Sequence, residues 1–600
     1  MSDHIPHWDL SNVYPSLESP EFIADGEKLR TQVQELQNFF KEKVTPITAA
    51  NTPAEIETVL SEAVARLNDI YEFGMTYRAY VSSFVSTDSF NKTALRLMSE
   101  LDKPMVALRQ IGVQFDTWVG SLKDVLPQVL EIEGTARQHA FALLETAEQA
   151  KYMMSTAEEN LAAELSTSGS NAWNKLQGTI TSQLTVDFEL DGEVKTLPMP
   201  ALINLHGHPN EDVRRRAHAA EIKAWESVKE PLAACLNSIK GTVNTLNKRR
   251  GREDALHSAV DGARIDRDTL TAMMSAMEDS FPMFRKYFRA KAQRIGKEQL
   301  DWWDLFAPVG AVTKHYTFAE ARIFILDNYA KFSQEMADFA QQAFDNNWID
   351  AESRSGKRGG AFCMGVPGVR ESRILCNFDG SLDQVFTIAH ELGHGFHNYC
   401  AYQADKTMLQ KQTPMTMAET ASIMCETIVT NAALAQAQSE EEKLAILETT
   451  LIGASQVVVD IYSRFLFEKE IFERREQAEL SADDICDAMR RAQLATYGDG
   501  VSADSLHSYM WTWKPHYYYP GLSFYNFPYT FGLLFGLGLY AIYQERGEAF
   551  IPDYKALLAS TGEASAADLA ARFGIDIRSK EFWAGSLALI GERVEAYLTL

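Results

Sequence analysis

Residues 387–399 read TIAHELGHGFHNY, with two histidines bracketing a glutamate as HELGH. On a helix this spacing sets His390 and His394 one turn apart on the same face, so that both imidazoles can reach one ion. Glu391 projects from a neighbouring face, where it can take a proton from water. Zinc held by such a pair polarises a carbonyl and lowers the pKa of its water to about 7, which makes hydrolysis feasible at neutral pH.

A catalytic zinc needs a third protein ligand. The metzincin pattern would place Gly at 397 and His at 400; here those positions are His397 and Cys400, which excludes that class. His397 shares the stripe of His390, but three successive turns of one straight helix cannot wrap a tetrahedral ion, so it is expected to pack or to support the ligands. A better third ligand lies in TPMTMAETASIMCETIVTNAAL (413–434). Glu419 begins an apolar-rich helix, and Glu426 follows at i+7 on the same face. Two carboxylates on an otherwise buried face are costly unless bound to something. Glu419 is therefore expected to hold zinc, and Glu426 to accept an N–H from a ligating histidine.

These residues need a rigid setting. Ser381 or Asp383 can cap the HELGH helix, and Val385, Phe386 and Ile388 can anchor it. Just before it, GGAFCMGVPGVRESRILCNF (359–378) holds two short apolar runs split by turn residues, which predicts a small hairpin. Further upstream, apolar residues recur at helical spacing over 21–43 and 52–73. At 182–197 the pattern changes: Leu184, Val186, Phe188 and Leu190 alternate, and Asp191-Gly192 supplies a tight turn, which predicts a second hairpin. Helical patterning resumes near Asn210. A mainly α fold with a few strands beside the motif follows.

Composition narrows the partners. Six hundred residues exceed one compact core, and a hydrophobic share of 46% fits a folded chain. The balance of 57 basic and 82 acidic residues, net −25, disfavours nucleic acid and anionic membrane. Six cysteines without a CxxC pair suit reduced thiols, and the opening residues lack a basic region followed by an apolar run, so no signal peptide and a cytoplasmic location are expected. Residues 515–543 lack Asp, Glu, Lys and Arg, yet their first half holds three prolines and five tyrosines. A buried helix behind an aromatic loop is expected there, not a membrane span.

With these blocks in view, the chain resembles the M3 family of zinc metallopeptidases, which includes thimet oligopeptidase, and within it the oligoendopeptidase F group. The resemblance rests on WDLSNVYPSLESPEF, GGAFC, NFDGS with TIAHELGHGFH, MAETAS, and the C-terminal aromatic block. It implies two helical lobes enclosing a deep substrate channel, divided in sequence into 1–195 (an N-terminal helical lobe ending in the hairpin) and 196–600 (the catalytic region). It implies one zinc per chain on His390, His394 and Glu419, with Ser422 at the family spacing. His516, Tyr525 and Tyr529 match family positions that hold substrate and stabilise an oxyanion; Phe527 stands where the family has tyrosine, and a short insertion lies near 519–523.

The expected activity is cleavage of internal bonds in short unstructured peptides by metal-activated water, with Glu391 as general base. Gly359, Gly360, Ala361 and Phe362, at an edge strand, would pair with the backbone of an extended substrate. A metallocarboxypeptidase would need a cationic clamp for the terminal carboxylate, and none can be placed from sequence. A non-catalytic zinc-binding scaffold would have no use for Glu391. The oligomeric state is left open by the sequence.

Overall fold

The structure, a computed structural model, describes residues 5–310 and 314–600. The fold is mainly α-helical with two small sheets, as expected. The strands are β1 (Thr185–Leu190), β2 (Glu193–Pro198), β3 (Ile349–Asp350), β4 (Phe362–Val366) and β5 (Glu371–Leu375). β1 and β2 form an antiparallel hairpin. Its turn residues Asp191 and Gly192 both have positive φ, 55° and 80°, the backbone that a two-residue turn demands and that Asp-Gly supplies.

The chain forms two compact units, each discontinuous in sequence. The first gathers residues 1–152, 314–432 and 542–574; the second gathers 153–313, 433–541 and 575–600.

In the first unit, helices Pro20–Phe39, Pro53–Thr87 and Lys92–Ser121 share an apolar core that includes Phe22, Leu29, Ile56, Leu60, Leu67, Tyr80, Leu108 and Ile111. Thr52 caps the second of these helices through a reciprocal pair with Glu55. The sheet order β3-β5-β4 leaves β4 at an edge. The helix Leu382–Gln403, which carries HELGH, packs on β4 and β5 and on the helix Ile551–Ala559. Burial of Val385, Phe386, Ile388, Ala389, Leu392 and Phe396 holds this helix against the sheet.

In the second unit, the 39-residue helix Glu211–Arg249 begins at Asn210, whose side chain accepts from the Asp212 N–H. It packs on the hairpin and on Ile461–Arg475. Its Lys240 meets Glu468 at 2.6 Å, and Lys291 meets Glu448 at the same distance, all four side chains nearly inaccessible. The continuous helical stretch Glu440–Arg475 is long and apolar enough to cross a membrane by length and composition, but 61% of its most apolar window is buried and its glutamates form these ion pairs. The helix Phe527–Arg546 is buried along most of its apolar part, as the sequence suggests.

Candidate metal centre

Ser381 caps the HELGH helix by accepting the Gln384 N–H at 3.3 Å; Asp383 lies in the first turn, where its charge suits the helix N-terminus. Most of the helix is buried, and His390 and His394 are each about a quarter exposed. The helix that carries Glu426 begins next to Glu419, as expected, and a short helical turn precedes it. A short turn, Met415–Ala418, ends at Glu419, whose φ of −85° and ψ of 1° break the helix, and a new helix, Thr420–Gln436, starts one residue later. Glu419 is thus a junction residue.

Gly393 makes this junction reachable. A Cβ at position 393 would stand 2.6 Å from the Ala421 carbonyl oxygen and the Ser422 Cα. Only a residue without a side chain lets the two backbones approach so closely. The sequence offers HELGH as a ligand motif, and the structure adds a packing reason for its glycine.

The result is a convergent trio. Glu419 Oε2 lies 3.2 Å from His390 Nε2 and 3.4 Å from His394 Nε2. The Ser422 hydroxyl donates to the same Oε2 at 2.7 Å. On the far side of the His390 ring, Nδ1 lies 3.0 Å from Glu426 Oε2. The side chains of Glu419 and Glu426 are 31% and 39% exposed, so neither is sunk in the apolar interior expected from their neighbours. His390, His394 and Glu419 can hold one metal ion: their donor atoms all lie within 4.8 Å of one another. Zinc bonds of about 2.0–2.1 Å in a tetrahedron set neighbouring donors about 3.3 Å apart. The two separations from Glu419, 3.2 and 3.4 Å, match that requirement, and the donor set suits zinc.

Electrostatics follow the geometry. Burial alone would lower the pKa of His390, but hydrogen bonds to Glu419 and Glu426 and their charges outweigh it and raise the imidazole to about 10. Burial would raise the Glu419 carboxyl, yet the two histidines hold it well below the usual carboxylate range. Glu391 is buried, and burial raises its pKa against the opposing pull of His390 and His394. Its Oε2 makes no hydrogen bond.

A cavity of about 600 Å³ brings these groups together with β4. Ala361, Phe362 and Cys363 line it beside His390, Glu391, His394 and Glu419; Gly359 and Gly360 precede the strand and are not among the lining residues. Asn398, Lys411 and Thr413 also line it, and no sequence signal marks them. His397 is not one of the trio. Its Nε2 pairs with Thr561 Oγ1 at 2.9 Å, and burial, followed by the charge of His394, lowers its pKa to about 4. The cysteines form no disulfide, and all but Cys363 are buried.

His516, Tyr525 and Tyr529 belong to the second unit and cluster with one another. The His516 ring stacks on Tyr525 with centroids 5.3 Å apart and meets Tyr529 edge-on at 6.4 Å. Burial, then the charges of Arg464 and Lys514, lowers the His516 pKa to about 4, which keeps the ring neutral. Tyr517 and Tyr518, next in sequence, are fully buried packing residues.

Comparison with known proteins shows what the chain as a whole is similar to. The sequence profile of Peptidase family M3 matches residues 204–589, and that of Oligopeptidase F matches 123–185. Oligopeptidase PepF of Bacillus subtilis is 23% identical over 96% of this chain and 84% of its own length. The chromosomal oligoendopeptidase F of Lactococcus lactis is 22% identical over 64% of this chain and 63% of its own length. In fold, the chain is similar to a Chlamydophila abortus crystal structure (TM-score 0.86, 19% identity, 99% and 98% of the two chains) and to oligoendopeptidase-F from Enterococcus faecium (TM-score 0.67, 16% identity, 96% and 98%).

Proposed function

This chain belongs to peptidase family M3, and from that premise we propose that it is a zinc-dependent endopeptidase of short, unstructured peptides. The observation that carries the reading is the approach of Glu419 Oε2 to both His390 Nε2 and His394 Nε2, at 3.2 and 3.4 Å, beside a buried Glu391 with an unpartnered oxygen. His390, His394 and Glu419 would hold the ion. Bound there, zinc supplies Lewis acidity that polarises a carbonyl and makes water more acidic.

The chain's own groups do the rest. Glu426, through His390 Nδ1, fixes the ring so that Nε2 faces the trio, and Ser422 fixes the Glu419 oxygen. Glu391 is the general base: it accepts a proton as water adds to the scissile carbonyl carbon, and it returns that proton to the amine nitrogen as the C–N bond breaks. Its burial raises its proton affinity, which suits that task. The free edge of β4 would take the backbone of an extended peptide as an added strand, with Ala361 and Phe362 beside the trio. Main-chain pairing of this kind binds many sequences with small side-chain demands. For His516, Tyr525 and Tyr529 the family resemblance supports a role in substrate binding and oxyanion stabilisation. The names of the relatives, oligopeptidase and oligoendopeptidase, support peptide substrates of limited length. Six cysteines free of disulfides support a reducing, cytoplasmic setting.

The test is product mapping. A mixed peptide library should be cut at internal bonds, a chelator should stop cleavage, and zinc should restore it. Release of single C-terminal residues would instead favour a carboxypeptidase.

A further inference from the structure

A second group of metal-ligand side chains converges in the other compact unit, on residues the peptidase reading does not use. His218 and Glu221 sit one turn apart on the helix Glu211–Arg249, and His206 lies on the tight turn Leu205–Gly207 packed against that helix. Their donor atoms lie within 4.8 Å of one another. His206 Nε2 is 3.3 Å from Glu221 Oε2, the donor spacing of about 3.3 Å that tetrahedral zinc with bonds of about 2.0–2.1 Å requires. His206, His218 and Glu221 are 5%, 6% and 0% exposed. Yet His206 Nε2, Glu221 Oε2 and His218 Nδ1 have no hydrogen-bond partner.

Buried polar atoms are almost always satisfied, so three orphans in one group call for a ligand. The other carboxylate oxygen shows what satisfaction looks like: Glu221 Oε1 meets His507 Nε2 at 2.8 Å and accepts the Trp225 indole N–H at 3.1 Å. Those two groups fix the carboxylate from behind and leave Oε2 to the cluster. Charge points the same way. Among the described residues no Lys or Arg pairs with Glu221, and the neighbouring Arg214 is committed to the buried Asp304 at 2.8 Å. A fully buried carboxylate needs a positive charge, and beside Glu221 only an imidazolium, at His507 (2.8 Å) or His206 (3.3 Å), or a bound cation can supply it.

We propose that His206, His218 and Glu221 form a second, structural site for a divalent transition metal of the zinc class, oriented by His507 and Trp225. The ion would staple the turn at 205–207 to the long helix and would join the loop at 507 through Glu221. This site is independent of the HELGH centre and of the proposed activity.

The experiment uses the full chain with the first centre disabled by His390→Ala and His394→Ala, stripped of metal and titrated with Co²⁺ and then Zn²⁺. One equivalent should bind, Co²⁺ should give the intense visible absorption of a tetrahedral site, and the thermal unfolding temperature should rise. Adding His218→Ala should abolish that equivalent; His206→Gln, close in size, serves the same purpose if the alanine variant does not fold. Adding His507→Gln should keep the equivalent but weaken it about 10–100-fold, because it removes only an orienting group. Absence of metal uptake by the folded double variant would overturn the proposal and leave an imidazole–carboxylate hydrogen-bond network. Uptake that survives both His218→Ala and His206→Gln would overturn it as well.

Discussion

His390 Nδ1 lies 3.0 Å from Glu426 Oε2, and this contact gives the second carboxylate of the 419–426 pair a task distinct from that of the first. Glu419 faces the two Nε2 atoms, whereas Glu426 faces the back of one ring. Glu419→Ala should therefore lose the metal outright. Glu426→Ala should retain it with affinity reduced about 10–100-fold, since only ring orientation and basicity are affected. Metal content after dialysis against graded chelator separates the two. The reverse order of effects would make Glu426 the ligand.

Gly393→Ala should damage the same centre through packing. Alanine favours helix over glycine by about 0.5–1 kcal/mol, but its Cβ would meet backbone atoms of Ala421 and Ser422 at 2.6 Å. Overpacking of that kind costs about 1–3 kcal/mol and should win. Denaturant unfolding should show a net loss of stability, and metal affinity should fall because Glu419 is pushed away. A more stable variant with unchanged affinity would show that the contact relaxes freely.

Metal uptake should depend strongly on pH. In the metal-free chain His390 titrates at about 10, so it carries a proton at neutral pH. A ligating imidazole must be neutral, and binding must expel that proton. Below pH 10, apparent affinity should then fall about tenfold per pH unit from this group, or about 100-fold between pH 8 and pH 6. Competition with a chelator of known pH dependence measures it. A flat profile across that range would mean that the two carboxylates do not hold the proton.

Much of the centre was legible because its signals are local. HELGH, the Ser381 cap and the apolar anchors lie within one helix, and the Asp191-Gly192 turn needs only two residues. What was not legible depends on contacts between distant segments. Glu419 reads as the start of a helix, and one does begin at Thr420, but the short helical turn at 415–418 before it leaves no signal of its own. The surrounding methionines suggest deep burial for Glu419 and Glu426, but Glu419 lines the cavity with Lys411 and Thr413, and Glu426 is 39% exposed. The buried group around Glu221 leaves just a His-x-x-Glu spacing in the sequence. His507, its hydrogen-bond partner, lies 286 positions away.

His516 offers a kinetic test of the family role assigned to the second unit's aromatic cluster. Its ring is neutral at physiological pH, with a pKa near 4, so it can donate one N–H. If that donor acts on the transition state, His516→Ala should lower kcat by about 100–1000-fold with a small change in KM. A change confined to KM would reassign His516 to substrate binding.

The central claim is that His390, His394 and Glu419 hold the metal while Glu391, beside them, moves the proton. The measurement that tests it most directly is metal content and peptide cleavage of Glu391→Gln, determined on the same sample. The account predicts a metal content equal to that of the unaltered chain, with turnover reduced by about 100-fold or more, the usual contribution of a general base at the low end. A variant that retains near-normal turnover, or one that loses the metal of the HELGH centre along with its activity, would contradict it.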